Sequence, residues 1–314
     1  MRATPPDRTG STVVVTGGTG GLGYFTAERL ASTGAHVVIT ARDGERGRRA
    51  AASIARHVPG ASVDVVALDL TDPDSVAAAA DVLTALDRID ALVLNAGSTQ
   101  PPRERTLTAD GIEVTMAANV VGHAALVGHL WPTLTADRTS TGPTTPPATP
   151  PVRIVGLGSL ATRIVGFDVA ALVADHAYHP FATYARTKHV VHAFISELAR
   201  RDCGAGVQAL LAHPGYAVDA LSPARPGIVV PGRFERLPIA QGKHDGARPT
   251  LRAVLDPSLP DGAMVGPRWT TRGAPVLTTP VASSTTPEAG AAVWDLLSGW
   301  TRGALPRTLP VPTR

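Results

Sequence analysis

The run Thr16-Gly17-Gly18-Thr19-Gly20-Gly21-Leu22-Gly23 holds five glycines in eight residues. It follows the β-branched apolar segment Thr12–Thr16 and opens a segment, Leu22–Thr33, that reads as helix. Side chains there would keep the backbone away from a pyrophosphate, whose charge a helix N-terminus stabilises, so the run points to a dinucleotide cradle. The eight residues satisfy G-x-G-x-x-G from Gly18, T-G-x-x-x-G-x-G from Thr16 and G-x-x-G-x-x-G from Gly17. Glycine spacing therefore leaves the branch of dinucleotide-binding fold open. A tight turn that binds nothing is disfavoured, because so many glycines cost backbone entropy without a packing return.

The alternation continues outward. His36–Ala41 is apolar again, Gly44–His57 reads as helix, Val63–Leu68 as strand, a helix starts near Pro73, and Ala91–Asn95 is a fourth strand. A long helix from about Thr108 to Leu134, a strand at Val152–Leu157, a helix at Thr183–Arg201 and a strand at Gly206–Ala212 follow. This pattern predicts an α/β fold of Rossmann type: a doubly wound parallel sheet of about seven strands with helices on both faces. One oxidoreductase-sized domain is expected over residues 11–300, with flexible tails at 1–10 and 301–314 and a substrate-side region at 216–250. Val114–Ala136 is long and uncharged enough to span a bilayer, yet Asn119, His123, His129 and Pro132 make a buried or interface helix the expectation.

Composition narrows the class. Of 314 residues 28 are proline, and of 29 cationic residues only Lys188 and Lys243 are lysine. Residues 13–100 contain only Pro59 and Pro73, whereas residues 132–151 contain six prolines and residues 214–312 fifteen. Five prolines in residues 139–151 exclude helix and central strand there; an exposed insertion of polyproline II type is expected, with a domain linker as the competing reading. With 44% hydrophobic and 4% aromatic residues, wholesale disorder is excluded and the core must be mainly Val, Ala, Leu and Ile. A net charge of +3 on scattered arginines does not indicate a nucleic-acid surface. Lone Cys203 rules out an internal disulfide and a CxxC zinc site and suits a reducing, cytoplasmic compartment. No signal peptide or membrane anchor is expected. His176 and His179, like His189 and His192, are three apart, but without a suitably spaced third ligand they read as solvated or packed, and no metal is expected.

Tyr184 and Lys188 share a helix face at a spacing of four, where an ammonium can stabilise a phenolate whose pKa is otherwise near ~10. Such a pair arises by chance only about 0.03 times in this composition. A chain that uses arginine for nearly every cation keeps lysine here, where a compact ammonium suits a phenol and ribose hydroxyls. An exposed helical pair is the plainer alternative. Ser159 ends a strand, where open parallel sheets bind ligands, although a serine there also serves as a helix cap.

Asn95-Ala96-Gly97, Ser159, Tyr184-Ala185-Arg186-Thr187-Lys188 and Pro214-Gly215 together resemble the short-chain dehydrogenase/reductase family, over about residues 11–300 without the proline insertion. Its compact branch fits the T-G-x-x-x-G-x-G reading. Ala41-Arg42-Asp43, Arg153–Ala161, the long gap from Ser159 to Tyr184, and His213-Pro214-Gly215 resemble its retinol-dehydrogenase-like subgroup. The resemblance implies that Tyr184 exchanges a proton with the substrate oxygen, Ser159 hydrogen-bonds that oxygen, Lys188 binds the nicotinamide ribose and Asn119 holds a relay water. Asn119 also reads simply as a polar helix face. The implied cofactor-binding residues are Gly17, Thr19, Gly20, Gly21, Leu22, Gly23, Arg42, Asp69, Leu70, Asn95, Ala96, Gly97, Tyr184, Lys188, Pro214, Gly215 and Asp219. Dimerisation through the helices at 108–134 and 183–201 is inferred from the resemblance alone.

Arg42 comes first after the second strand and would pair with a 2′-phosphate, which favours NADP(H), with Asp43 turned to solvent. Asp69 reads as an adenine contact or as turn chemistry. Asp219 stands where the family commonly has threonine; an ionised carboxylate there would favour an oxidised nicotinamide ring, unless it lies on a mobile loop. The expected activity is NADP(H)-dependent interconversion of a carbonyl and an alcohol on a small organic substrate. Reduction of a C=C bond, a sugar epimerisation, or cofactor sensing without turnover are the rivals.

Overall fold

The computed structural model describes residues 6–136, 150–172, 177–201, 206–229 and 237–309. Strands β1 (Thr12–Val15), β2 (His36–Ala41), β3 (Val63–Ala67) and β4 (Ala91–Leu94) alternate with helices α1 (Gly21–Ala31), α2 (Gly44–His57) and α3 (Pro73–Thr84). The helix starts have local causes. Asp43 accepts from the Glu45 and Arg46 amides to cap α2, and Asp72 caps α3 with Pro73 in the first turn, where a missing N–H costs nothing.

The second half adds β5 (Val152–Leu157) and β6 (Val207–Ala212), then a small separate sheet of β7 (Ala217–Val218) and β8 (Gln241–Gly242). Helices α7 (Lys243–Gly246) and α8 (Arg248–Leu255) lead from there to the antiparallel pair β9 (Met264–Pro267) and β10 (Pro275–Thr278). The eight strands of the main sheet lie in the order β10-β9-β6-β5-β4-β1-β2-β3, with every neighbouring pair parallel except β9 and β10. The doubly wound Rossmann sheet is thus present, with an eighth, antiparallel edge strand beyond the seven expected. Alternating side chains divide the core: Val14, Leu92 and Ile154 face one helical layer, Val13, Val93 and Val155 the other. Chain direction reverses between β1 and β4, so their carboxyl ends open onto the crevice where such sheets bind ligands.

Several expectations change. The long helix begins at Val114, not Thr108, because Thr108 and Ile112 close a turn, Leu107 bridges Glu113, and Glu113 caps the helix start. It runs as α4 (Val114–Met116), a π-helical turn (Ala117–Val121) and α5 (Gly122–Thr135). Pro132 does not end it, since helical geometry continues to Thr135. Helix α6 (Pro180–Arg201) starts earlier than expected, on Pro180. No described helix is long and apolar enough to cross a membrane.

Neither expected tail is loose where it is described. Arg8 donates to the Thr33 and Leu255 carbonyls. After α9 (Ala282–Thr285) and α10 (Pro287–Trp300), Leu305 and Leu309 join the core and the Trp294 indole donates to the Pro306 carbonyl at 3.0 Å. This C-terminal segment also revises the dimer expectation. Only His129 and Pro132 are exposed in α5, and only Phe181 and Arg200 in α6. Those helices are covered by α3, α9, α10 and residues 304–305 of the same chain, leaving no broad free face for a second copy. Most of the proline-rich insertion, Cys203 and His176 lie outside the described residues.

Trp294 is fully buried, stacks on Phe194 at 5.7 Å and carries Arg201 over its ring. Trp294→Ala is expected to lower the unfolding free energy by about 3–5 kcal/mol in urea titration, whereas a loss below about 1 kcal/mol would show that this segment is not part of the core.

Candidate functional site

The glycine turn is fastened from behind. The buried Thr16 hydroxyl accepts from the Asn95 and Ala96 amides at 2.9 and 3.0 Å and meets His123 Nε2 at 2.9 Å. His123 Nδ1 lies 3.2 Å from the Asn119 carbonyl, so the consistent assignment is a neutral ring that donates through Nδ1 and accepts through Nε2. Burial supports it by pushing the imidazole down to about 4. The Asn95 amide donates to the Thr16 and Gly17 carbonyls, holding the turn against β4. Gly17 and Gly21 have φ of +67° and +56°, and Gly23 packs directly against Asn95. These are the three glycines of the T-G-x-x-x-G-x-G reading, so backbone geometry selects among the spacings that the sequence left open.

A cavity of about 1460 Å³ runs along the carboxyl ends of the sheet. Gly17, Thr19, Gly20, Leu22 and Gly23 form its floor, Asn95, Ala96 and Gly97 one wall, and Pro214, Gly215 and Asp219 the far side. Gly21 is not on its wall; Lys243 lies over it. At the β2 end, Arg42 and Arg46 reach the cavity with no ion pair among the described residues. Asp43 is not simply turned to solvent: its carboxylate caps α2, and those backbone donors lower its pKa. Asp69 and Leu70 also line the cavity, with the Asp69 carboxylate accepting from Thr71, which realises the turn alternative.

Ser159, Tyr184 and Lys188 meet on one wall. Ser159 caps a short 3-10 turn through the Ala161 amide and hydrogen-bonds Tyr184 as well, so it serves as both cap and site residue. Lys188 Nζ lies 5.9 Å from the centre of the Tyr184 ring and donates to the Leu157 carbonyl at 3.0 Å. The expected lowering of the phenol is not found in the free chain. Burial raises Tyr184, with the Ser159 hydrogen bond opposing, while burial pushes Lys188 down to about 8. A phenol donor, a hydroxyl and an ammonium on one wall can hold an oxygen atom and pass it a proton.

Asn119 is not on the cavity wall. It sits in the π-helical turn, accepts from the Ser98 amide at 2.7 Å, and donates to the Ser98 carbonyl and the Thr187 hydroxyl. It therefore ties the Asn95-Ala96-Gly97 loop to the helix of Tyr184. His189 and His192 are packed in the core, and His179 accepts from the Ala182 amide at the start of α6.

Two functional positions escape a reading of the sequence. The mouth carries Ile164, Phe181, Leu237 and Ile239, all exposed, with Ile164 at 72%. An apolar residue in an irregular loop has no periodicity to expose it. Lys243 also reaches the cavity and pairs with Asp219 at 2.7 Å. That pairing offsets the charge through which Asp219 would favour an oxidised ring. The anomaly that singles out Lys188, lysine in an arginine-rich chain, also marks Lys243.

Glycine turn, parallel sheet and Ser-Tyr-Lys wall define a dinucleotide-binding oxidoreductase architecture. The short chain dehydrogenase family model matches residues 11–142. Retinol dehydrogenase 12 of Bos taurus is 34% identical over 207 residues, covering 66% of this chain and 61% of that protein. This chain thus spans about three fifths of the length of the curated relatives it matches. A crystal structure of an uncharacterized protein from Mycobacterium paratuberculosis superposes with a TM-score of 0.75 at 31% identity, over 98% of each chain. A metagenomic short-chain oxidoreductase in complex with NADP superposes with a TM-score of 0.52 at 27% identity, over 67% of this chain and 85% of that one. The chain belongs to the short-chain dehydrogenase/reductase family and is retinol-dehydrogenase-like within it.

Lys188 should cost the free chain stability. An unfolded lysine titrates near 10.5 and this one at about 8, so between those values the unfolded chain alone binds the proton and stability rises with pH. Below about pH 8 the buried charge exerts its full penalty. Lys188→Met is expected to raise Tm at pH 7 in the nucleotide-free protein, with the gain shrinking towards pH 10; a gain independent of pH would contradict a charged, desolvated Lys188.

Proposed function

We propose that this chain is an NADP(H)-dependent oxidoreductase that interconverts a carbonyl and an alcohol on an apolar organic substrate. The placement of Ser159, Tyr184 and Lys188 on the wall of the cavity floored by the glycine turn carries the reading. The residues present fit the cofactor. The turn has positive-φ glycines where a Cβ would obstruct a diphosphate, and Arg42 and Arg46 offer cations at the adenosine end. A nicotinamide group bound there would exchange hydride with the substrate carbon. Tyr184 holds the proton that the substrate oxygen gains or loses, and Ser159 orients that oxygen. Lys188 holds positive charge beside the phenol and favours its ionised form, while Asn119 keeps the Ser98 loop and α6 in register.

Arg42 and Arg46 support NADP(H) over NAD(H), as does the complex of the metagenomic short-chain oxidoreductase with NADP. The apolar mouth supports a substrate with a hydrophobic body and a single oxygen function. The cavity exceeds the usual ~300–1,000 Å³ of a single-ligand site, which leaves room for cofactor and substrate together.

Following NADPH absorbance over a panel of ketones and aldehydes of increasing chain length tests the activity. Turnover should favour the more apolar compounds, and Tyr184→Phe should reduce kcat by about 10²–10⁴-fold with NADPH binding retained; full activity in Tyr184→Phe would refute the mechanism. Arg42→Ala should lower the ratio of NADPH to NADH affinity by about tenfold in calorimetric titration. An unchanged ratio would remove the basis for NADP(H) preference.

A further inference from the structure

The chain's second lysine reaches the cavity through a different part of the fold. Strands β7 and β8 are parallel, and Val218 pairs with Gly242. That register places the next residues, Asp219 and Lys243, side by side. The Ser222 hydroxyl reinforces the arrangement, accepting from the Lys243 amide at 2.8 Å and donating to the Val218 carbonyl at 2.7 Å.

The same region is fastened across the glycine turn. Arg225 bonds Glu28 of α1 at 3.0 and 3.2 Å, and Gly227 approaches so closely that a Cβ on it would lie 2.9 Å from Gly20 Cα. Lys243 is thereby carried over the turn, with Nζ 3.4 Å from where a Cβ on Gly21 would lie.

We propose that Lys243 is a ligand for the cofactor diphosphate, and that Asp219 is the counter-ion holding its ammonium over the turn before the nucleotide binds. The inference rests on the NADP(H) reading above and adds a residue to it. The glycine turn offers backbone N–H groups but no charge. Of the cations lining the described cavity, Arg42 and Arg46 stand at the end of β2, and Lys188 donates to the Leu157 carbonyl beside Tyr184. Lys243 is the one over the turn. A compact ammonium suits a diphosphate approached from one side. The pairing also accounts for an otherwise unfavourable feature: a carboxylate at position 219, facing a site for a polyanion, is tolerable because Lys243 neutralises it.

Calorimetric titration of the full chain with NADPH and with NADH, comparing wild type, Lys243→Met, Lys243→Arg and Asp219→Asn at low and high salt, tests the proposal. Lys243→Met should weaken both nucleotides by about tenfold and leave their affinity ratio unchanged, because the diphosphate is common to both. Lys243→Arg should retain most of the affinity. Asp219→Asn should tighten both by a few fold, since it removes the competitor for the ammonium, and high salt should shrink each difference. These opposite signs separate a ligand from a merely structural pair, in which breaking either partner would weaken binding alike. Wild-type affinity in Lys243→Met, or weakened binding in Asp219→Asn, would overturn the proposal. If wild type binds neither nucleotide, the NADP(H) reading itself falls and this inference with it.

Discussion

A single buried hydroxyl organises the site. Thr16 Oγ1 takes both amides at the end of β4 and faces His123, so the carboxyl end of β1, the loop after β4 and the start of α5 are fixed relative to one another by one atom. From His123 the connection passes to the Asn119 carbonyl, from the Asn119 side chain to the Thr187 hydroxyl, and from that hydroxyl to the Tyr184 carbonyl. Cofactor cradle and acid/base helix are therefore parts of one hydrogen-bonded chain. Every polar group in it is buried and has a partner, the condition under which such networks rigidify a structure.

The π-helical turn is what admits Asn119 to this chain. Residues Ala117–Val121 carry one residue more per turn than an α-helix would, which presents the Asn119 amide to Ser98 and Thr187 while its carbonyl accepts from His123. Asparagine is a poor former of regular helix, and here the irregular turn makes that preference useful. The polar-face reading and the functional reading of Asn119 are reconciled: it touches no part of the cavity, yet it positions residues that do.

The elements easiest to read are those with local causes. Asp43 and Asp72 mark the starts of α2 and α3 because an acceptor just before a helix satisfies its first amides, and β2 is legible as an unbroken apolar run. The elements that differ from expectation depend on distant residues. Thr108–Glu113 has helical composition, but a bridge between Leu107 and Glu113 claims it for a turn. The residues after α10 carry prolines and glycines that resemble a tail, yet Leu305 and Leu309 find a groove made by α5, α6 and α10. At the site, Tyr184 and Lys188 announce themselves through a fixed spacing on one helix. Asp219 and Lys243 are 24 positions apart, and only the β7–β8 register brings them together.

Lysine usage draws these threads together. The chain replaces lysine by arginine nearly everywhere, and its two exceptions lie on the same cavity, one from each side of the proline-rich turn region after β6. Their environments differ in a way that matches different tasks. Lys188 is sequestered, with its charge destabilised by burial and its position fixed by the Leu157 carbonyl, so a negative charge forming beside it is the main relief available. Lys243 is a quarter exposed and already paired, so its charge is secure and its role is to be shared between Asp219 and an incoming anion. A guanidinium would serve neither position well: at 188 its planar fork demands more acceptors than a phenol and one carbonyl provide, and at 243 a bidentate grip on Asp219 would compete with release. The proline-rich half of the molecule thus contributes more than a pocket wall. It carries the second cation to the turn that the proline-poor half builds.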